Sequence, residues 1–279
     1  MTLFDAFRYD GKRVLVVGAA TGMGNATAQV ARDAGAEVVG MDFAPIDIAG
    51  VKAISVNLAD KASIDAAVAE LGGPVHVVFS CAGVADGTPG IEKINFIGHR
   101  YLINQLVDRG WLTKGGAIGF ISSAAGLGWE AALPELQEYL AVTDFDAASQ
   151  WAKDHNHADY MWSKQTICAY VAREAMAFLK RGIRINAICP GPTDTPLAQA
   201  NKEMWLTFGA DYRAEVGVEA ATPLEQAYPL VYLCSDAASV ITGIVMVTDS
   251  GYFSSAVTES FPAATPIANF LLGRYDKLS

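Results

Sequence analysis

Short apolar runs alternate with amphipathic segments along most of this chain. Runs rich in β-branched residues predict seven strands, over Arg13–Val17, Glu37–Met41, Ala53–Val56, Val75–Phe79, Ala117–Ile121, Ile183–Ile188 and Ile244–Val247. Apolar residues at helical spacing predict intervening helices over Asn25–Ala34, Ile64–Leu71, Ile91–Asp108 and Ser163–Lys180. The early strands are apolar nearly throughout, which is typical of a parallel sheet covered on both faces. With right-handed crossovers, this order predicts an α/β fold with one doubly wound, parallel, roughly seven-stranded sheet.

One segment before Tyr160 interrupts this regular order. Residues from about 128 to 157 contain two short helix candidates, Pro134–Ala141 and Asp144–Asp154, between a predicted strand and the next long helix. We therefore expect a helical insertion within a single domain that covers residues 1–251.

The sequence after Gly251 has a different pattern. Its apolar residues are separated by Pro and Ala, and they have no obvious place in a doubly wound sheet. We expect residues 252–279 to form a C-terminal extension that packs on the same domain or on a neighbouring subunit.

Composition limits the partners that this protein could have. The chain has 279 residues, of which 52% are hydrophobic and 18% charged, so one large α/β domain can fill its core. A net charge of −10 disfavours nucleic acid or an anionic membrane, because both attract clustered lysine and arginine. No uncharged apolar run reaches the roughly 18 residues of a membrane span, and the first residues do not resemble a secretory signal. These features predict a cytoplasmic protein whose partner is a small molecule.

The four cysteines give no sign of a metal or disulfide site. Cys81, Cys168, Cys189 and Cys234 each lie in an apolar segment, and no two have CxxC spacing. Buried thiols in a reducing compartment are the expected state, with no metal.

A glycine-rich turn follows the first predicted strand. Gly18, Gly22 and Gly24 precede an alanine-rich helix. Glycines let a pyrophosphate approach the backbone, and the helix N-terminus offers free N–H groups and a positive dipole end. This placement predicts a Rossmann dinucleotide site, although a purely structural turn is the alternative.

Asp42 ends the second predicted strand. A carboxylate there can accept hydrogen bonds from both adenosine ribose hydroxyls, and it repels a 2′-phosphate. No Lys or Arg lies within Gly18–Gly24 or directly after Asp42. NAD(H) is therefore favoured over NADP(H), while a turn-forming aspartate is the alternative interpretation.

Tyr160 and Lys164 are four residues apart, so both lie on one face if this segment opens a helix. A nearby ammonium favours the phenolate and lowers the pKa of a tyrosine. We therefore expect Lys164 to lower the pKa of Tyr160. The pair alone is common by chance.

Four motifs in order make the pattern specific. They are the GxxxGxG turn, Ile121-Ser-Ser-Ala-Ala-Gly126, Tyr160-Met-Trp-Ser-Lys164 and Cys189-Pro-Gly-Pro-Thr-Asp-Thr195. Together they resemble the short-chain dehydrogenase/reductase family over roughly residues 12–251. The insertion, with the Cys-Ala-Gly and Pro-Gly segments, is similar to the bacterial 3α-hydroxysteroid dehydrogenase/carbonyl reductase branch.

The resemblance implies roles for individual residues. Ser123 would hydrogen-bond the substrate oxygen, Tyr160 would exchange its proton, Lys164 would lower the tyrosine pKa and bind the nicotinamide ribose, and Asn95 would hold a water in a proton relay. It further implies dinucleotide contacts at Gly18, Thr21, Gly22, Met23, Gly24, Asp42, Phe43, Asn57, Leu58, Cys81, Ala82, Gly83, Ile121, Tyr160, Lys164, Pro190, Gly191, Thr193 and Thr195.

The sequence departs from the family pattern at three places. Asn57 stands where an aspartate is usual, and Ser80-Cys-Ala-Gly83 replaces Asn-Asn-Ala-Gly, which removes an asparagine that braces the sheet. Ser123 and Tyr160 are 37 positions apart, because the insertion lies between them.

The resemblance places a substrate lid at residues 197–222. Its apolar and aromatic residues, together with two nearby tryptophans, predict a bulky hydrophobic substrate such as a cyclic ketone or a steroid-like alcohol. Ordinary helix packing is the alternative for these side chains, which are Met204, Trp205, Phe208, Tyr212, Trp129 and Trp162. The resemblance also implies a homo-oligomer, a dimer or tetramer of undetermined geometry.

Two other function classes share this fold. An NAD-dependent epimerase or dehydratase uses the same tyrosine and lysine, but usually has GxxGxxG spacing and a longer chain. A non-catalytic dinucleotide sensor would be free to lose Ser123, Tyr160 or Lys164, and all three are present. The sequence therefore favours an oxidoreductase that interconverts a secondary alcohol and a ketone.

Overall fold

The structure, a computed structural model, describes residues 2–273. The strands are β1 (Arg13–Val17), β2 (Glu37–Asp42), β3 (Lys52–Ser55), β4 (Val75–Ser80), β5 (Leu112–Ile121), β6 (Arg184–Pro190) and β7 (Val245–Thr248). They form one parallel sheet in the order β3-β2-β1-β4-β5-β6-β7. The chain reverses its direction of travel across the sheet after β3, so the doubly wound fold predicted from the sequence is confirmed.

The beginning of β5 is the main difference from the predicted strands. It starts at Leu112 and not at Ala117, and its register against β4 shifts between the pairs Val75–Leu112 and Val77–Ala117. Gly115 has a φ of +86° within this irregular stretch. Because this stretch contains polar and glycine residues, it lacks the apolar run that predicts a strand.

Helices cover both faces of the sheet. They are α1 (Gly22–Asp33), α2 (Lys61–Leu71), α3 (Gly98–Asp108), α4 (Leu133–Ala141), α5 (Phe145–Asp154), α6 (Tyr160–Lys180), α7 (Pro196–Ala200), α8 (Lys202–Trp205), α9 (Ala210–Val216), α10 (Pro223–Cys234), α11 (Tyr252–Val257) and α12 (Thr265–Leu271). Val16 and Phe79 point to the face covered by α1 and α10, while Leu15 and Val78 point to the face covered by α2, α3 and α6. This alternation follows from the two-residue period of a strand.

The predicted insertion consists of α4 and α5. Its aromatic side chains pack on α3 and on the π-helical segment before it, with the Phe145 ring 5.6 Å from Tyr101 and the Tyr139 ring 6.1 Å from Phe96. Arg100 of α3 is buried and donates a hydrogen bond of 2.7 Å to the carbonyl of Val142, at the end of α4. The insertion is thereby joined to the core and does not project from it.

The C-terminal extension packs on its own domain as far as residue 273. Leu271 is buried in a cluster with Leu127, Cys168 and Cys189. Residues 274–279 of the predicted extension lie outside the described residues. Within residues 2–273, no helix has the length and apolarity that crossing a membrane requires.

Candidate active site

A cleft of about 500 Å³ opens at the carboxyl ends of β1, β2 and β4. In doubly wound sheets this edge, where the strand order reverses, is where ligands bind. The predicted dinucleotide contacts that line it are Gly18, Thr21, Gly22, Met23, Gly24, Asp42, Phe43, Asn57, Leu58, Cys81, Ala82, Gly83 and Thr195. Residues that sequence reasoning missed also line it, namely Val17, Val56, Ala59, Val84, Thr88, Pro89, Ile94, Pro196 and Leu197. Most of these carry apolar side chains, for which the sequence offered no distinguishing signal.

The glycine-rich turn accepts no side chain at two positions. A Cβ built at Gly18, whose φ is +93°, would overlap the backbone nitrogen of Ala82. A Cβ at Gly24 would overlap the carbonyl oxygen of Gly18. Thr21 precedes α1 without a hydrogen bond from its side chain to the helix, which leaves the first N–H groups of α1 available to an anion. The turn therefore fits the pyrophosphate of a dinucleotide.

Asp42 lies at the other end of the cleft with its carboxylate fixed. One oxygen accepts a 2.9 Å hydrogen bond from the N–H of Ala20, and the other accepts one of 2.9 Å from Ala44. Each oxygen keeps a lone pair for a further donor. The neighbouring Phe43 is 78% exposed. A fixed carboxylate beside an exposed ring fits the adenosine end of a dinucleotide.

Asn57 uses its side chain within its own turn. Its Oδ1 accepts a 3.0 Å hydrogen bond from the N–H of Ala59, while its own N–H donates to Ser63. Its neighbour Leu58 is buried. At the far side of the cleft, Thr195 caps α7 and lies against Gly22.

Tyr160 is the first residue of α6. Asp159 caps that helix by accepting a 2.8 Å hydrogen bond from Trp162, and Asp86 accepts one of 2.7 Å from the N–H of Tyr160. The Ser123 hydroxyl lies close enough to the phenol to lower the tyrosine pKa. The 37-residue separation along the chain therefore does not separate the two hydroxyls in space.

Lys164 is buried one turn further along α6. Its Nζ donates a 3.0 Å hydrogen bond to the carbonyl of Ile121 and lies 5.4 Å from the centre of the Tyr160 ring. Burial lowers the pKa of this lysine to about 8. At neutral pH the amine is therefore positively charged, and it faces the phenol as the sequence predicts.

In the protein by itself the pKa of Tyr160 lies above its ordinary value, and the lowering by Lys164 stays a prediction. Burial raises the pKa of Tyr160 to about 12, and this outweighs the lowering by Ser123. Cys189 and Asp86 raise it further through their charges. The phenol of the protein alone is therefore protonated at neutral pH.

Asn95 lies in the π-helical segment Lys93–Ile97 and is fully buried. Its Oδ1 accepts a 2.8 Å hydrogen bond from the N–H of Val84, and its Nδ2 donates to the Val84 carbonyl and to Ser163 at 3.1 Å each. The side chain thus connects the floor of the cleft to α6. Its predicted role in holding a water stays a prediction.

The end of β6 lies on the lid side of the site. Pro190 is buried in the strand, and a Cβ built at Gly191 would come within 2.7 Å of Asp249. Thr193 is fixed by a 3.0 Å hydrogen bond from its hydroxyl to the Gly191 carbonyl, and it pairs with Ala221. None of these residues is among those lining the cleft, so their predicted cofactor contacts stay predictions.

The predicted lid divides into two parts. The Trp205 ring lies 4.9 Å from the Tyr160 ring, whereas Tyr212 packs edge-on against Phe261 at 5.2 Å and against Tyr252 at 5.4 Å. Phe208 also packs edge-on against Tyr252, at 5.2 Å. The first part therefore reaches the site, and the second is held by the C-terminal extension.

Trp162 does not face the site, so the alternative of ordinary helix packing applies to this side chain. It is two residues from Tyr160 on the helix, so it points to a different side. Its ring stacks at 3.6 Å on His157 of the insertion. Trp129 is half-buried between two core clusters. Both tryptophans pack within the protein.

Two polar residues beside Tyr160 escaped the sequence analysis. Asp86 comes close only through folding, because 74 positions separate it from Tyr160. The role of Asp159 is predictable from the sequence, since an aspartate directly before a helical segment is a preferred N-cap. The structure thus explains how the helix that carries the tyrosine begins at the tyrosine itself.

Comparison with known proteins decides the family. Residues 18–253 match the sequence model of a family described as enoyl-(acyl carrier protein) reductase. This chain belongs to the short-chain dehydrogenase/reductase family. It is accordingly an oxidoreductase, as the motifs predict.

Individual relatives cover nearly the whole chain. Coniferyl-alcohol dehydrogenase of Pseudomonas sp. strain HR199 is 27% identical over 88% of this chain and 98% of its own. The 3-alpha-hydroxysteroid dehydrogenase/carbonyl reductase of Comamonas testosteroni is 28% identical over 85% of this chain and 95% of its own. The crystal structure of the 3-alpha-hydroxysteroid dehydrogenase from Pseudomonas sp. B-0831, complexed with NADH, has 26% identity and a TM-score of 0.73 over 89% of this chain and 99% of that chain. The predicted likeness to the hydroxysteroid dehydrogenase branch is confirmed.

Proposed function

We propose that this protein is an NAD(H)-dependent dehydrogenase that interconverts a bulky secondary alcohol and its ketone. The observation that carries the proposal is the meeting of Tyr160, Ser123 and Lys164 beside the cleft. Gly83 links the two regions, because a Cβ built there would lie 3.4 Å from Lys164 Nζ while Gly83 itself lines the cleft.

The preference for NAD(H) rests on the end of the cleft near Asp42. Its carboxylate is fixed by two backbone N–H groups and retains acceptor capacity for ribose hydroxyls. Among residues 2–273, no Lys or Arg that could neutralise a 2′-phosphate lines the cleft. A phosphate would therefore meet uncompensated negative charge at this end.

The three site residues have distinct proposed tasks. A nicotinamide dinucleotide bound in the cleft supplies hydride transfer to or from the substrate carbon. Tyr160 holds the proton that the substrate oxygen gains or loses, and Ser123 hydrogen-bonds that oxygen. The charge of Lys164 favours the deprotonated phenol once the proton has left.

The protonation of Tyr160 gives each direction of the reaction its own pH dependence. Burial raises the pKa of Tyr160 to about 12, so the phenol begins with its proton and can give it to a ketone oxygen. Oxidation requires the phenolate, whose fraction increases with pH. We therefore expect alcohol oxidation to become faster in alkaline solution.

The proposed substrate class is supported by the side chains around Tyr160. Trp205 covers its ring, and the extension supports the rest of the lid with aromatic side chains. Relatives named for coniferyl alcohol and for a 3-alpha-hydroxysteroid support a ring-containing substrate. Cyclic ketones and steroid-like alcohols are thus proposed over sugars.

A homo-oligomer is also proposed, through a surface other than the face of α6 that the insertion covers. The face of α6 toward the insertion is covered by α4. At the sheet edge, Val240 is 94% exposed and Ile244 beside β7 is 38% exposed. Measurement of mass in solution tests whether the chain self-associates.

The deciding experiment is a substrate panel followed through the absorbance of reduced nicotinamide. Cyclic and steroid ketones with NADH should give steady turnover, and NADPH should serve less well. Turnover of polyols alone would contradict the substrate class. Absence of net redox turnover with every alcohol and ketone would contradict the dehydrogenase function and favour an epimerase or a sensor.

A further inference from the structure

The turn from Cys81 to Val84 forms the floor of the cleft between its two functional ends. On one side, the backbone nitrogen of Ala82 leaves no room for a Cβ on Gly18. On the other, a Cβ built at Gly83 would lie 3.4 Å from Lys164 Nζ. A displacement of the turn at Ala82 would therefore disturb the glycine-rich turn, whereas Lys164 keeps its own hydrogen bond to the Ile121 carbonyl.

His99, near the start of α3, holds this turn from beneath. Its Nε2 lies 3.1 Å from the carbonyl oxygen of Ala82, and the residue is 1% exposed. A carbonyl oxygen only accepts, so Nε2 carries the proton and donates it. Burial lowers the pKa of His99 to about 4, which keeps the ring neutral and is consistent with a single ring proton. The remaining nitrogen, Nδ1, is buried with no hydrogen-bond partner among residues 2–273.

The helical segment that carries His99 binds the turn at a second point. Asn95 makes two hydrogen bonds to Val84, as described above. Asn95 and His99 are four residues apart, so they lie on one face of the segment. Gly83 lies between the two bound residues, so the part of the turn nearest Lys164 is fixed on both sides.

We propose that His99 is a positioning residue of the dinucleotide site, whose Nε2–H fixes the Ala82 carbonyl and thereby the floor of the cleft. The inference rests on the proposed function, because it assumes that the cleft binds a dinucleotide. His99 does not line the cleft itself, so it acts through Ala82. Loss of its donor should weaken dinucleotide binding and leave the proton-transfer groups in place.

The test compares His99→Met with His99→Gln. Glutamine offers an N–H donor near the position of Nε2, whereas methionine fills the space without one. We expect His99→Met to raise both the NADH dissociation constant and the KM for NADH by about five- to twentyfold, and kcat to change by less than about twofold. His99→Gln should stay within about threefold of the wild type. A merely structural role would lower the melting temperature and the active fraction, without changing the KM of the folded enzyme.

The outcomes separate this inference from the function on which it rests. Wild-type NADH affinity in His99→Met, or equal weakening by Met and Gln, would overturn the role of His99 and leave the dehydrogenase function standing. A wild-type protein that binds no NADH would overturn both. The imidazole ¹⁵N shifts of the wild-type protein provide a test that needs no folded Met variant. An Nε2–H tautomer is expected at His99, and an Nδ1–H tautomer would overturn the proposal.

Discussion

The cofactor side and the substrate side of this molecule are built in different ways. The cofactor side uses strand ends and turns that come mainly from residues 17–94, with residues 195–197 beside them, fixed by backbone hydrogen bonds and by glycines that exclude side chains. The substrate side brings together Tyr160, the lid and the C-terminal extension, which are far apart in sequence and meet through aromatic packing. A constrained backbone gives a reproducible dinucleotide site, whereas packed side chains allow the substrate site to vary.

The two sides meet at Tyr160. Substitution of this residue should have the largest effect on turnover. We expect Tyr160→Phe to lower turnover by about a thousandfold or more, because the proton-transfer group is lost. NADH affinity should change by less than about twofold, since the cofactor side is intact. Direct titration of NADH beside steady-state assays checks both parts. Near-wild-type turnover in this variant would rule out the proposed role.

On the cofactor side, Asp42→Ala should raise the KM for NADH by about ten- to a hundredfold, through loss of hydrogen bonds to a charged carboxylate. NADPH should be affected less, because the variant also removes a repulsive charge. The ratio of kcat/KM for the two cofactors measures this. Asp42→Asn is the matched control, as it removes the charge and keeps an acceptor. Unchanged preference in Asp42→Ala would contradict the assignment.

The pH dependence of ketone reduction tests the role of the positive charge of Lys164, which lies between the two sides. Lys164 has its pKa lowered to about 8, so its positive charge is present below that pH and is lost as the pH rises through it. We expect kcat/KM for NADH, which reports on the free enzyme, to fall above about pH 8 by up to tenfold per pH unit. A profile that stays flat to about pH 10 would contradict a role for this ammonium.

On the substrate side, Trp205→Ala should raise the KM for a cyclic substrate by about five- to tenfold, because one aromatic contact is lost. The KM for NADH should not change. Met204→Ala is the control, since this neighbouring side chain is 74% exposed. Equal effects of Trp205→Ala on both ligands would remove the distinction between the two sides.

The smallest effect is expected at the support of the lid. Phe261→Ala removes an edge-on contact with Tyr212, so α9 should be held less firmly. We predict about a threefold rise in the KM for substrate and a small decrease in melting temperature, with NADH affinity unchanged. Substrate KM values, differential scanning and NADH titration together provide the check. An unchanged substrate KM would show that the extension does not influence the lid.

Much of the cofactor side was predictable from the sequence because its determinants are local. A glycine cluster between a strand and a helix, and an acid at the next strand end, are set by backbone geometry that neighbouring residues reveal. Ser123 and Lys164 were found through motifs in order, and the four-residue spacing of Tyr160 and Lys164 needs only a helix. The strands were likewise readable from apolar runs, except where Gly115 and its neighbours interrupt β5.

Tertiary structure alone decided which contacts these residues make. The sequence showed an ammonium one helical turn from Tyr160, but only the structure shows that burial raises the phenol pKa to about 12, because desolvation depends on everything packed around it. The sequence left open whether Trp162 lies near the substrate or packs in the protein; it stacks on His157 of the insertion, whereas Trp205 reaches Tyr160 from 45 positions away. Such contacts depend on how separate segments pack together in three dimensions. The spacing of residues along the chain does not determine that packing.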